Sequence, residues 1–177
     1  MRDLIKKILK EETTTASLCV PINGWLGTKL ESGQRFGDPR DGGSRSHKGN
    51  DLTTDSGTPL LAAADGKVII ASMTYDPTGY GALIQIKHAG DIETKYAHCS
   101  QIDVSVGETI TKGQVIGKSG GDSAANSPSG VDDKGRGNSS HAHLHYEVIV
   151  NGSAVDPTGG GYLDAECGSA IVGLKRC

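Results

Sequence analysis

Aromatic side chains are scarce: one Trp, one Phe and five Tyr make up 4% of 177 residues. With 35% hydrophobic residues and 26 glycines, such a composition suits many short strands joined by tight turns and disfavours long packed helices. Excess positive charge is also lacking, the net charge being -3. A chain without a basic stripe cannot gain from counterion release along a phosphate backbone, so nucleic acid is excluded as a partner. No apolar run approaches the roughly 20 residues that cross a bilayer, so no transmembrane segment is expected. The opening MRDLIKKILKEETTT has no central apolar block of a secretory signal, and no export address is read in it. The four cysteines, Cys19, Cys99, Cys167 and Cys177, form no C-x-x-C pair, which excludes a zinc knuckle. Cys167 and Cys177 could close a terminal loop in an oxidising setting, and free thiols are equally consistent. No H-E-x-x-H occurs, so the helical type of metalloprotease is excluded.

What is present reads as one domain, since a chain of this length can build a core without staples. Leu4, Ile5, Ile8 and Leu9 recur at helical spacing and predict a short amphipathic helix from about Arg2 to Glu12, suited to docking on its own domain or on a protein partner. Residues 1–17 are thus a helix and polar linker, 18–161 the folded domain, and 162–177 a tail or last strand. Within the domain the pattern is all-β and antiparallel. LLAAADGKVIIAS, with Asp65-Gly66 between apolar runs, predicts a hairpin, as does ALIQIKHAGDIETKYAH around Gly90-Asp91. Val104–Glu108 and Thr109–Gly117 read as two short strands, and His141–Val150 as another ending at Asn151-Gly152. Gly120–Asn138 is nearly free of apolar residues and reads as a long, mobile polar loop at the rim of whatever the next strand builds.

Five of the six histidines fall in three places: His47, four residues before Asp51; His98; and the set His141, His143 and His145. In S-H-A-H-L-H-Y-E the histidines are spaced by single residues, so on a strand His143 and His145 face one side. Glu147 shares that parity and is either a partner orienting an imidazole or an outward surface carboxylate. His47 and Asp51 converge if Gly49 permits a sharp turn. Three protein ligands leaving a fourth position open is the arrangement of catalytic rather than structural zinc. His88, near a hairpin turn, is read as a surface histidine without a role.

In order along the chain stand RFGDPR, HKGNDL, GTPLLAAADGKVI, YGALIQIKHAG, YAHCS, VGETITKGQVIGKSG, HLHYE and NGSAVDP. This series resembles the lysostaphin-like, LytM-type zinc endopeptidases that cut peptide bonds of peptidoglycan, over about Pro21 to Pro157. The resemblance implies a LytM-lysostaphin type antiparallel sheet or sandwich. It also implies one Zn²⁺ per chain on His47, Asp51 and His145, with His143 and His98 acting on the water and the transition state. Three departures stand out: His141-Ala142 before the H-L-H, the long loop, and Cys99, which should point away from His98 if both lie on a strand. Bacterial peptidoglycan is the implied partner, and the enzyme would act in the periplasm, the cell wall or outside the cell. Lack of an export address favours a phage virion enzyme or lysin. The alternatives are a non-catalytic peptidoglycan-binding or amidase-activating domain of the same fold, which would lack zinc ligands, and a lysine-modified carrier domain. The carrier reading leaves the histidines unexplained and offers no lysine at a suitable hairpin apex.

Overall fold

A computed structural model describes residues 16–25, 29–76, 79–159, 162 and 167. The expected N-terminal helix, and the partner contact assigned to it, lie outside the described residues. Strands β1 (Pro39–Arg40) and β2 (Arg45–Ser46) flank a 3-10 turn at Asp41–Gly43. There follow β3 (Asn50–Thr53), β4 (Pro59–Leu61), β5 (Gly66–Ser72), β6 (Leu83–His88), β7 (Ile92–Ala97), β8 (Gln101–Ile102), β9 (Thr109–Ile110), β10 (Val115–Lys118), β11 (His143–Val150) and β12 (Ser153–Val155). The architecture is antiparallel β, as the composition implied. A seven-stranded sheet runs β12-β11-β7-β6-β5-β9, with β3 also paired to β11, and a three-stranded sheet runs β4-β10-β8. No helix among the described residues is long and apolar enough to cross a membrane.

The core sits on one face of the large sheet. Alternation in β11 sends Leu144, Tyr146 and Val148 inward at 0% exposure, and Tyr96, Ile84 and Ile86 join them from β7 and β6. Leu60 and Ile116 of the small sheet, with Leu18, Val20, Ile22, Trp25 and Leu30 of the leading segment, complete the same cluster. The opposite parity of β11, His143, His145 and Glu147, is left for the other face.

Two turns form as expected. β6 and β7 pair through Lys87 and Glu93 around Gly90 and Asp91, both of positive φ. β11 and β12 join through Val150 and Ser153 at Asn151 and Gly152, whose positive φ values are what a two-residue primed turn demands. Asp65-Gly66 makes no hairpin: β4 pairs with β10, and β5 with β6 and β9. Neither residue has the positive φ a two-residue primed turn needs, and Asp65 Oδ1 instead accepts the backbone N–H of Lys112 at 2.7 Å. The segment is a crossover between sheets. Val104–Glu108 is not a strand either; Ser105 and Glu108 close it into a turn with Gly107 at φ 89°.

The long polar loop is only partly what its composition suggested. Residues 124–131 are mostly exposed, but Gly135 is buried, its carbonyl accepts the N–H of Ala82 at 2.8 Å, and Asn138 N–H reaches Gly79 O at 3.1 Å. A Cβ at Gly135 would lie 2.0 Å from Cys99 O. Backbone hydrogen bonds and glycine-permitted close approach hold this half of the loop, so it is a packed element despite offering little apolar area.

His88 is likewise inside, 5% exposed, with Nδ1 on Asp65 O at 2.9 Å and Nε2 on Thr94 Oγ1 at 2.8 Å. Its parity in β6 matches Ile84 and Ile86, which is why it faces the core and not solvent. Cys19 and Cys167 form a disulfide with Cα atoms 5.1 Å apart, in place of the Cys167–Cys177 pairing or free thiols considered above. Cys19 reaches this position because its N–H bonds to Ala63 O at 2.9 Å beside β4.

Candidate metal centre

β11 is the organising strand because it is paired on both sides. His145 lies opposite Asp51 of β3 and opposite Ala97 of β7. The carboxylate thus arrives from one neighbour, and His98, the residue after Ala97, from the other. β3 can approach closely because residue 49 is Gly: a Cβ there would fall 2.3 Å from Tyr146 O. Gly49 is needed for space, whereas a positive φ is not required of it. His47 then comes over the sheet just ahead of β3.

Three atoms meet at one point. His47 Nε2 is 3.1 Å from Asp51 Oδ1 and 3.0 Å from His145 Nδ1, and His145 Nδ1 is 2.9 Å from Asp51 Oδ1. The far nitrogen of each ring is already engaged, His47 Nδ1 with Arg35 O at 2.9 Å and His145 Nε2 with Glu147 Oε1 at 3.1 Å. Both partners are acceptors, which puts the N–H of each neutral ring on the far side and a lone pair into the triangle. One shared proton satisfies one edge of such a triangle; a cation satisfies all three. Tetrahedral zinc with bonds of about 2.0–2.1 Å sets its ligand atoms roughly 3.3 Å apart, so the side chains need shift only a few tenths of an ångström. Asp51 is confined to one oxygen, since Arg40 donates to Oδ2 at 2.7 Å.

Electrostatics also call for positive charge here. Burial opposes ionisation of Asp51, yet the His145 and His47 imidazoles beside its Oδ1 outweigh it and hold the carboxyl far below the ordinary range. Burial works against protonating His145 too, but the Asp51 and Glu147 carboxylates on either side raise its pKa. Glu147, although buried, is held at about 2 by His145, Tyr80 and Lys95.

The other two histidines stand beside the triangle. His143 Nδ1–H donates to His141 O at 2.8 Å, with Ser139 Oγ at 3.2 Å, which leaves Nε2 as an acceptor 3.6 Å from Asp51 Oδ1. Burial, above all, lowers its pKa. His98 is 8% exposed and sits just past β7 at φ 60°, a conformation costly for a non-glycine residue. Its ring is 4.8 Å from that of His143 and 6.0 Å from that of His145. Burial and the neighbouring imidazoles push its pKa down to about 3. Cys99 does turn away, being fully buried with Sγ on Tyr96 O at 3.3 Å, but because the chain leaves the strand at His98 rather than by strand alternation.

All five expected side chains, His47, Asp51, His98, His143 and His145, are thus brought together, whereas the ring of His141 is exposed and only its carbonyl takes part. Sequence reasoning missed Arg40, Tyr80 and Lys95. Arg40 and Tyr80 do lie in the blocks RFGDPR and YGALIQIKHAG, but nothing in their spacing says which oxygen they hold.

A sheet face presenting two imidazole lone pairs and a carboxylate oxygen at one point, with two neutral imidazoles alongside, is a class of site able to hold a metal ion. The chain belongs to peptidase family M23, whose family model matches residues 45–157. It is 33% identical over 119 residues, 67% of this chain and 24% of the relative, to the peptidoglycan DD-endopeptidase ShyC of Vibrio cholerae. Among solved structures it resembles the catalytic domain of the antimicrobial peptidase lysostaphin from Staphylococcus simulans, with TM-score 0.57 and 28% identity over 74% of this chain and 91% of that one. It also resembles a zinc containing peptidase from Vibrio cholerae, with TM-score 0.60 and 25% identity over 80% and 39%. The chain spans 22% to 24% of the length of the first curated relatives it matches.

Proposed function

We propose that the protein is a zinc-dependent endopeptidase that hydrolyses peptide bonds of bacterial peptidoglycan, with one zinc per chain on His47, Asp51 and His145. The observation that carries this reading is the triangle of three acceptor atoms about 3 Å on edge, each fixed from behind, with two further imidazoles at hand. Similarity to a named peptidoglycan DD-endopeptidase and to lysostaphin supports the substrate class.

Zinc held by His47, Asp51 and His145 would supply a Lewis acid for a peptide carbonyl and would lower the pKa of a water toward neutrality. His143 Nε2, a free acceptor because Nδ1 is tied to His141 O, takes the proton of that water and later returns it to the leaving amine. His98 is kept neutral and donates a ring N–H to the oxygen on which negative charge develops. Asp51 serves as a ligand and not as a base, since one oxygen faces the imidazoles and Arg40 occupies the other. The Cys19–Cys167 disulfide supports an oxidising site of action such as the periplasm or the cell exterior. The relatives described above are bacterial, so the phage setting gains no support from them.

The test is mass spectrometry of muropeptides released from purified sacculi by the zinc-loaded protein. Peptide-cleaved products that vanish on chelation and return with zinc are expected. Intact sacculi after treatment with fully zinc-loaded protein would leave the non-catalytic domain as the better reading.

A further inference from the structure

Glu147 lies two residues beyond His145 in β11 and shares its face, yet it is 1% exposed. A carboxylate so buried has to be compensated, and three groups compensate it. Tyr80 donates its hydroxyl to Oε1 at 2.6 Å, His145 Nε2 approaches the same oxygen at 3.1 Å, and Lys95 Nζ sits 3.2 Å from Oε2. Lys95 is the register partner of Glu147 across β7 and β11, and its ammonium also lies 5.0 Å over the Tyr80 ring. Tyr80 packs 5.6 Å from the His145 ring, while its backbone carbonyl accepts the N–H of His98 at 2.9 Å.

A salt bridge serving only to fill the sheet face would need Lys95 and Glu147 and nothing else. The third bond makes the difference. A neutral imidazole has one N–H, and the acceptor it finds decides which nitrogen keeps a lone pair. If His145 carried its proton on Nδ1, that proton would occupy the triangle. We infer that Glu147 is a positioning residue: clamped by Tyr80 and Lys95, its carboxylate takes the Nε2–H of His145 and commits Nδ1 to the metal. Two donors and one cation fix both carboxylate oxygens, so Glu147 cannot rotate away and the ring of His145 is held in one plane. Through Tyr80 the same clamp adjoins the backbone that carries His98. This inference rests on the zinc reading given above, and groups of this kind beyond the ligands typically change metal affinity by about 10- to 100-fold.

The experiment measures zinc affinity by competition with a chromophoric chelator for wild type, Glu147→Gln and the double change Glu147→Leu with Lys95→Met, which removes both buried charges together. Long-range proton–nitrogen NMR of the metal-free proteins reports the His145 tautomer, and the melting transition reports folding. Expected are an Nε2–H tautomer in wild type, a mixture in both variants, and zinc affinity lower by about 10- to 100-fold at a retained melting transition. The double variant keeps the test usable if Glu147→Gln alone fails to fold. Unchanged tautomer and unchanged affinity in the folded variants would overturn the role of Glu147 and leave the zinc reading standing. Wild-type protein that takes up no zinc would overturn both.

Discussion

Within H-L-H the two histidines differ by what lies behind them. His145 is backed by a carboxylate, Glu147, and turns Nδ1 to Asp51; His143 is backed by a carbonyl, His141 O, and turns Nε2 to the same oxygen from 3.6 Å. A ligand needs the stronger anchor and the shorter approach. His145→Ala is therefore expected to lose zinc and activity together, while His143→Ala keeps zinc and loses about 10²- to 10⁴-fold in turnover. Metal analysis beside a hydrolysis assay separates the two; zinc missing from His143→Ala would exchange the assignments. His88 supports a different prediction, on stability. Burial depresses its pKa below 6.5 despite the Asp65 carbonyl, so below pH 6.5 the unfolded chain takes up a proton that the native chain refuses. The contribution of His88 is full above pH 6.5 and is lost as pH falls below it. In urea titrations of metal-free protein, His88→Gln should show a smaller loss of stability between pH 7.5 and 5 than wild type does. Equal losses in the two proteins would show that His88 titrates normally.

The elements differ in how plainly their text announces them. β11 was legible because its two parities carry different chemistry, Leu144, Tyr146 and Val148 against His143 and His145, and a period of two is a local property. The β6–β7 hairpin was legible for the same reason, with Gly90 and Asp91 supplying positive φ. Asp65-Gly66 misled because a turn signal says that the chain bends without saying which strands then pair; that is decided by β10 and β9, some fifty residues later. The loop misled in the opposite direction. Its composition counts apolar area, whereas Gly135 and Asn138 are held by bonds to Ala82 and Gly79. The two halves should therefore respond differently to deletion. Replacing residues 124–131 by a short Gly-Ser turn should leave the melting temperature and zinc content nearly unchanged, whereas Gly135→Val should destabilise by about 1–3 kcal/mol through overpacking against Cys99 O and Ala82. Calorimetry of the two variants checks this, and a large loss in the first would mean that the exposed half is structural too.

At the scale of the whole molecule, the candidate metal centre and the covalent staple lie in different places and should fail independently. His47, Asp51 and His145 sit on one face of the large sheet, whereas Cys19 and Cys167 cluster with Leu61 of the small sheet. The bridge spans a sequence separation of 148, so the closed loop contains nearly the entire described chain. Cross-linking so long a loop restricts the unfolded ensemble far more than it alters the native one. Losing such a bond costs about 2–5 kcal/mol in the chain-entropy account. For a chain of this size each kcal/mol moves the melting temperature by about 2–4 °C, so Cys19→Ser should melt roughly 4–20 °C lower than wild type. Because the native contacts around His145 do not involve the bridge, zinc stoichiometry and turnover at 25 °C should be unchanged in the variant while it remains folded. Differential scanning calorimetry with and without reductant, alongside metal analysis, measures both quantities. Wild type with reductant should melt with Cys19→Ser, and reductant should leave the variant's transition where it was. A variant that melted as high as oxidised wild type would show that the two sulfurs are not bonded in the folded protein, and the support for an oxidising site of action would go with it.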